Sequence, residues 1–336
     1  MTTYIDEGTR FFDEVPPNVK DSLGGWIGDN QWANFMGKED WRNAWSADLG
    51  RGSLMAQLWG NVFLFDEDET RFLAATLAWF RENAELLSGP VPALGDPWLG
   101  EPYGYLHTGP DRAFLFAHNP TFQHRLVAHR LGDGNGSGRD GPWQVSRLYP
   151  DKAAFHKADG YLDGDSLNWW LRPFEVALLQ LDRTSTEPGA LHPLDPSLPP
   201  AHPSRALSWS LTEGEIRGGK RTFSGSVDLP TIEVESTIGL VLRCWRDGAF
   251  WRSTSIHELI AFDLSVDGQP AAFTTVPARR TWSTNNWLLA KLNAPADWSG
   301  KRIQVKLAAA VASEVQLERE AWLVPNWWTE PKYESP

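Results

Sequence analysis

Residues 184–204 read TSTEPGALHPLDPSLPPAHPS, with six prolines and no apolar periodicity. Proline fixes φ and removes a backbone donor, so such a run neither continues a helix nor sits inside a sheet. It reads as a semi-extended linker. Beyond it, over 205–336, apolar residues alternate in RTFSGSVDLP (221–230), IGLVLRCWRD (238–247), AFDLSVDGQPAAF (261–273), WLLAKL (287–292), RIQVKLAAAV (302–311) and EAWLVPNWW (320–328). Asp267-Gly268 is a hairpin turn signal, and Trp298 to Lys301 supplies another turn. Short alternating strands at this spacing predict a β-sandwich or jelly roll.

The linker is also preceded by a period of two. AFLFAHNP (113–120), RLVAHRL (125–131), WQVSRLY (143–149) and FEVALLQL (174–181) are strand candidates for a second sandwich over 93–183. The run GDGNGSGRDG (132–141) reads as a hairpin loop. It has no GxGxxG register entering a helix, so it is no phosphate cradle. Further upstream, SLMAQLWGNVFLF (53–65) reads as a buried strand and 67–87 as a helix. Asp66 stands at the N-cap, with Glu69 at the capping-box position. Leu73, Leu77, Phe80, Ala84 and Leu87 make an apolar stripe, and Ser88-Gly89-Pro90 is a stop. A strand followed by an amphipathic helix makes 1–92 an α/β segment. The expected fold is therefore an α+β multi-domain protein: a partial (β/α) barrel-like N-terminal segment, then two antiparallel β-sandwich or jelly-roll domains.

PYGYLHTGPDRAFLFAHNPTFQ (102–123) and GYLDGDSLNWWLRPFEVALLQL (160–181) resemble the C-terminal sandwich of barrel glycoside hydrolases of the α-galactosidase-like kind. The Asn-Pro step at 119–120 and the strand from LRPFEV (171–176) carry the resemblance. It implies that 53–87 is the last βα unit of a (β/α)8 barrel and that 205–328 is a carbohydrate-binding type of sandwich. A complete barrel takes roughly 250 residues, so the resemblance implies the C-terminal portion of a longer protein or a degenerate relative. The paired carboxylates of such barrels stand on middle strands that this chain does not contain, so no catalytic residue is carried over.

Composition narrows the classes. A net charge of −12 argues against non-specific nucleic-acid binding. No apolar run approaches the ~20 residues of a membrane helix, and no signal peptide is visible. The single cysteine, Cys244, rules out an internal disulfide and a thiolate metal cluster, and its alternating neighbours place it in a core. His118, His124 and His129 cluster in sequence without a ligand shell, so no metal and no cofactor is implied.

Nineteen tryptophans are the informative departure. Indoles fill β cores, and exposed ones stack on the CH faces of sugars. Asp29, Trp32, Asp40, Trp41, Arg42, Asp48 and Arg51 interleave acids, cations and aromatics as a saccharide rim does; the competing reading is a solvated helical face with core tryptophans. Trp282 and Trp287 flank the polar run 283–286 and are loop platform candidates, whereas Trp245 and Trp322 lie in apolar strands and read as core. The expected partner is an oligo- or polysaccharide. The alternative is a non-catalytic β-sandwich interaction or structural protein.

Overall fold

The computed structural model describes residues 42–43, 45–47, 49–50, 52, 65–96, 101–132, 142–155, 157, 159–183, 191–196, 198–251, 256–276 and 287–325. Several antiparallel sheets dominate, and the chain divides into two compact units between Ala201 and His202.

In the first unit the strands are β1 (Val91–Leu94), β2 (Tyr103–Thr108), β3 (Arg112–His118), β4 (Arg125–Arg130), β5 (Gln144–Tyr149), β6 (Ala153–Phe155), β7 (Ser166–Leu171), β8 (Val176–Asp182) and β9 (His192–Leu194). Seven of them form one sheet in the order β1-β2-β3-β8-β5-β6-β9, while β4 and β7 pair as a separate ribbon. Period-two side chains sort onto its two faces. Ala113, Leu115, Ala117, Ala177, Leu179 and Leu181 share a core with Val127 of β4 and Leu167, Trp169 and Leu171 of β7. Phe114, Phe116, Val176 and Leu178 turn the other way, toward helix α1 (Glu67–Glu82). Because both faces of β3 and β8 are buried, their sequences read as near-continuous apolar runs.

The capping box at α1 forms as expected, with the Asp66 carboxylate accepting from the Glu69 N–H and the Glu69 carboxylate accepting from the Asp66 N–H. The buried face is shifted from the expected stripe. Phe72, Leu73, Thr76 and Trp79 are buried, Leu77 and Phe80 partly so, and Ala84 is exposed. The shift lies within α1 itself, where the Phe72–Thr76–Trp79 face meets the sheet; α2 (Ala84–Leu87) follows after Asn83 and buries Leu87. Trp79 then meets Phe114 edge-on at 4.9 Å, and Trp45 donates its indole N–H to Thr76 Oγ1 at 2.9 Å. The strand half of the expected βα pair, 53–65, lies outside the described residues apart from Phe65; its helix half is α1, and what α1 covers is the antiparallel sheet.

The Asn-Pro step has a structural task. The Asn119 amide donates to the carbonyls of Gln123 and Arg172 at 2.7 and 2.8 Å and so ties the end of β3 to the turn before β8. Within the proline-rich stretch, β9 runs parallel to β6 at the sheet edge, where the missing N–H of Pro193 costs no ladder bond inside the sheet. The loop at 133–141 lies outside the described residues.

The second unit contains β10 (Arg205–Leu207), β11 (Trp209–Arg217), β12 (Lys220–Asp228), β13 (Ser236–Arg246), β14 (Ala249–Phe250), α3 (Ile256–Leu259), β15 (Ile260–Val266), β16 (Gln269–Pro270), β17 (Thr274–Val276), β18 (Trp287–Ala294), β19 (Arg302–Ala309) and β20 (Gln316–Pro325). One sheet has the order β10-β20-β13-β18-β17, with β14 on β13, and the other the order β11-β12-β19-β15-β16. Ile238, Leu240, Leu242, Leu288 and Leu292 from the first sheet share a single core with Phe223, Val227, Leu264, Ile303 and Val305 from the second. Burying each large apolar side chain contributes about 1.5–3 kcal/mol. Cys244 is fully buried there, and desolvation pushes its thiol up to about 12.

Candidate functional site

Alternation along β13 and β20 builds the candidate site. Leu240, Leu242 and Cys244 point into the core, as do Ala321 and Leu323 of the neighbouring strand. Their alternating neighbours Arg243, Trp245, Glu318, Glu320 and Trp322 therefore fall on the opposite face of the sheet. Trp245 and Trp322, expected in the core, are only partly buried on that face. The error lies in treating these strands as uniformly apolar: with Cys244 inside, a period of two obliges Trp245 to be outside.

Each indole is oriented by a carboxylate. Trp245 Nε1 donates to Glu318 Oε2 at 2.8 Å, and Trp322 Nε1 donates to Glu320 Oε2 at 3.0 Å. Arg243 holds Glu320 at 3.0 Å, the two side chains being about a quarter exposed. Register explains the contacts, since Arg243 pairs with Glu318 and Gly239 with Trp322 across the β13–β20 ladder. Gly239 leaves the space opposite Trp322 free of a side chain. The same register system pairs Trp287, the first residue of β18, with Arg243 on the other side of β13. Fixed indoles beside carboxylates can stack on CH-rich ring faces and accept hydroxyl hydrogens. Both carboxylates are engaged by donors, so the arrangement suits binding rather than proton transfer.

Of the other residues singled out by sequence, Arg42 is placed. It is buried, forms an ion pair with Asp68 at 2.7 Å and stacks over Phe72 at 4.9 Å, which is a packing role within the first unit. Asp29, Trp32, Asp40, Trp41, Asp48, Arg51 and Trp282 lie outside the described residues, as does the side chain of Trp287.

Two other polar groupings are paired among themselves. Asp163 accepts from Trp143 Nε1 at 2.8 Å and from Arg183 at 2.7 Å, while Arg183 stacks on Trp143 at 4.2 Å. Asp165 is paired with Lys157. These contacts hold both carboxyls below the usual range, with the hydrogen bonds from Arg183 and Lys157 as the leading causes. Among the described residues no group of three His, Cys, Asp or Glu side chains could hold a metal ion.

No family model matches the chain, and no curated protein matches it. Solved structures with some likeness include a β-porphyranase of glycoside hydrolase family 86 from the human gut bacterium Bacteroides plebeius, 10% identical, covering 66% of this chain and 35% of that one at a TM-score of 0.26. A family 86 protein in complex with neoagarooctaose is also 10% identical and covers 67% and 34% at 0.24. The VP2 subviral particle of infectious bursal disease virus is 12% identical and covers 67% and 62% at 0.21. The chain spans about a third of the length of the glycoside hydrolases. Likeness at this level carries no argument about what the chain binds or does.

Proposed function

We propose that this chain is a saccharide-contacting, non-catalytic part of a carbohydrate-active protein, corresponding to the C-terminal region of a glycoside hydrolase. In this reading 93–183 and 205–336 are sandwich domains, 184–204 joins them, and 1–92 is the tail of a barrel. The observation that carries it is the pair of half-buried indoles, Trp245 and Trp322, each oriented by a glutamate on one sheet face. Oligo- or polysaccharide is the partner such a surface suits.

A second reading, a structural or interaction module, draws on the burial of Val241, Leu289 and Val324 on strands of the same sheet although they stand outside the shared core. Titrating the intrinsic tryptophan fluorescence with neutral and acidic oligosaccharides decides between them. A saturable shift supports saccharide contact; a flat response across the panel supports the structural module. Turnover of nitrophenyl glycosides would overturn the non-catalytic assignment.

A further inference from the structure

Strands β4 and β7 form a two-stranded ribbon, and their register sorts the side chains onto two faces. Val127, Leu167, Trp169 and Leu171 point into the core of the first unit. Their alternating neighbours make the outer face as three cross-strand pairs: Leu126 opposite Trp170, Ala128 opposite Asn168 and Arg130 opposite Ser166. That face is open, with Leu126 53% exposed, Trp170 partly exposed and the other four exposed. Two consecutive tryptophans are thereby divided. Trp169 is 1% exposed in the core, and Trp170 stands outside it.

The size and chemistry of this face restrict what it can hold. Successive pairs along the ribbon span about 14 Å, and its two strands stand about 5 Å apart, so the strip is one pyranose ring wide. Its apolar part is the Leu126–Trp170 pair at one end. A stable protein interface takes roughly 20–30 residues a side, far more than this face offers. A sugar ring needs only an aromatic plate with polar groups at its margin. Ser166 Oγ donates to Asn168 Oδ1 at 3.1 Å, and Asn168 Nδ2 donates to the Ser166 carbonyl at 3.5 Å. These contacts orient the amide, and its second N–H remains for a ligand hydroxyl.

Stacking on an indole requires a ring face that presents C–H groups, which β-linked hexopyranoses with equatorial hydroxyls provide. Such chains are extended and can follow a narrow strip, whereas α-linked chains of the maltose type coil away from it. We propose that the outer face of the β4–β7 ribbon binds an extended, β-linked hexopyranose chain. One ring lies on Trp170 and Leu126, and hydroxyls along the chain meet Asn168, Ser166 and Arg130. The proposal rests on the saccharide reading but uses a surface of the first unit.

The test is calorimetric titration of the full chain with cellopentaose and maltopentaose, for wild type, Trp170→Ala, Trp170→Phe and Asn168→Ala. Wild type should bind cellopentaose in the millimolar range and maltopentaose at least about tenfold more weakly. Trp170→Ala should weaken cellopentaose binding about five- to tenfold, and Trp170→Phe, which keeps an aromatic face, by less. Asn168→Ala should weaken it about two- to fivefold. Asn168 is exposed, so its variant tests the face without disturbing the core, and circular dichroism checks the folding of all three. Equal cellopentaose affinity in wild type and Trp170→Ala overturns the proposal, as does maltopentaose binding as tightly as cellopentaose. A dimer seen by light scattering that Trp170→Ala dissolves also overturns it, because a second copy then occupies the face. If Trp245→Ala abolishes the saccharide response while Trp170→Ala leaves it intact, the ribbon assignment alone fails. If no oligosaccharide binds, both readings fail.

Discussion

His107 Nε2 sits 2.6 Å from the carbonyl oxygen of Gly50, and this contact joins β2 to the helical residues before 50. A carbonyl only accepts, so Nε2 carries the proton. Burial drives the ring's pKa down to about 4, outweighing the pull of the carbonyls of Gly50, Leu86 and Leu87. Burial likewise lowers His118 to about 3 and His124 to about 4.

These histidines set an acid limit on stability. Unfolded, they take up protons near the ordinary histidine value of 6.5; folded, only near 3 to 4. The unfolded state therefore binds more protons between these values, so stability is full above the unfolded pKa and falls as acid is added. Each unit of depression at the buried rings of His107 and His118 is worth about 1.4 kcal/mol. Urea midpoints should drop steeply from pH 7 to pH 4.5. His107→Gln, which keeps an amide donor for Gly50, should flatten that slope.

The capping box gives a local test. Asp66→Ala removes the acceptor for the Glu69 N–H and should cost about 1 kcal/mol in urea unfolding of the first unit.

Gly104 lies on β2 where a Cβ would stand 1.8 Å from the Phe116 carbonyl oxygen on β3. Gly104→Ala should cost on the order of 3 kcal/mol or more, since a backbone oxygen cannot step aside as a side chain does. A Cβ on Gly89 meets nothing within 4 Å, and Gly89→Ala should stay within about 0.5 kcal/mol of wild type. Thermal melts of the two variants provide the comparison.

Arg42 separates packing from binding. Arg42→Ala removes both the Asp68 ion pair and the stack on Phe72, and should cost about 1–3 kcal/mol. Its fluorescence response to saccharide should match wild type.

Trp245→Ala should weaken oligosaccharide binding by about 1 kcal/mol, near the worth of one aromatic contact beyond its area. Glu318→Gln keeps an acceptor for the indole and should have a smaller effect in the same titration.

Period-two alternation made most strands legible, because neighbouring residues on a strand face opposite media. The runs around Phe114 and Leu178 were readable as strands, but nothing in an apolar run on both faces says which layer covers which side. Strand β11 escaped notice because Thr212, Glu213, Gly214, Glu215 and Ile216 are all exposed, leaving no apolar face to show the period. β9 escaped because proline composition argues against pairing, while an edge position tolerates it. The candidate site was half legible. The tryptophans stood out by number, but only the inward direction of Cys244 and Leu323 shows which indoles leave the core. Glu318 and Glu320 carry no mark in the sequence; only the register of β20 on β13 puts them beside Trp245 and Trp322.

The burial of Cys244 makes the chain its own clock. With its thiol held near 12, thiolate is scarce at neutral pH, and the sulfur is shielded from reagents until β13 parts from the core. As the chain has one cysteine, every equivalent of a maleimide or disulfide reagent consumed reports a single event at a known address. Labelling kinetics thus time the opening of the second unit without a probe being engineered in.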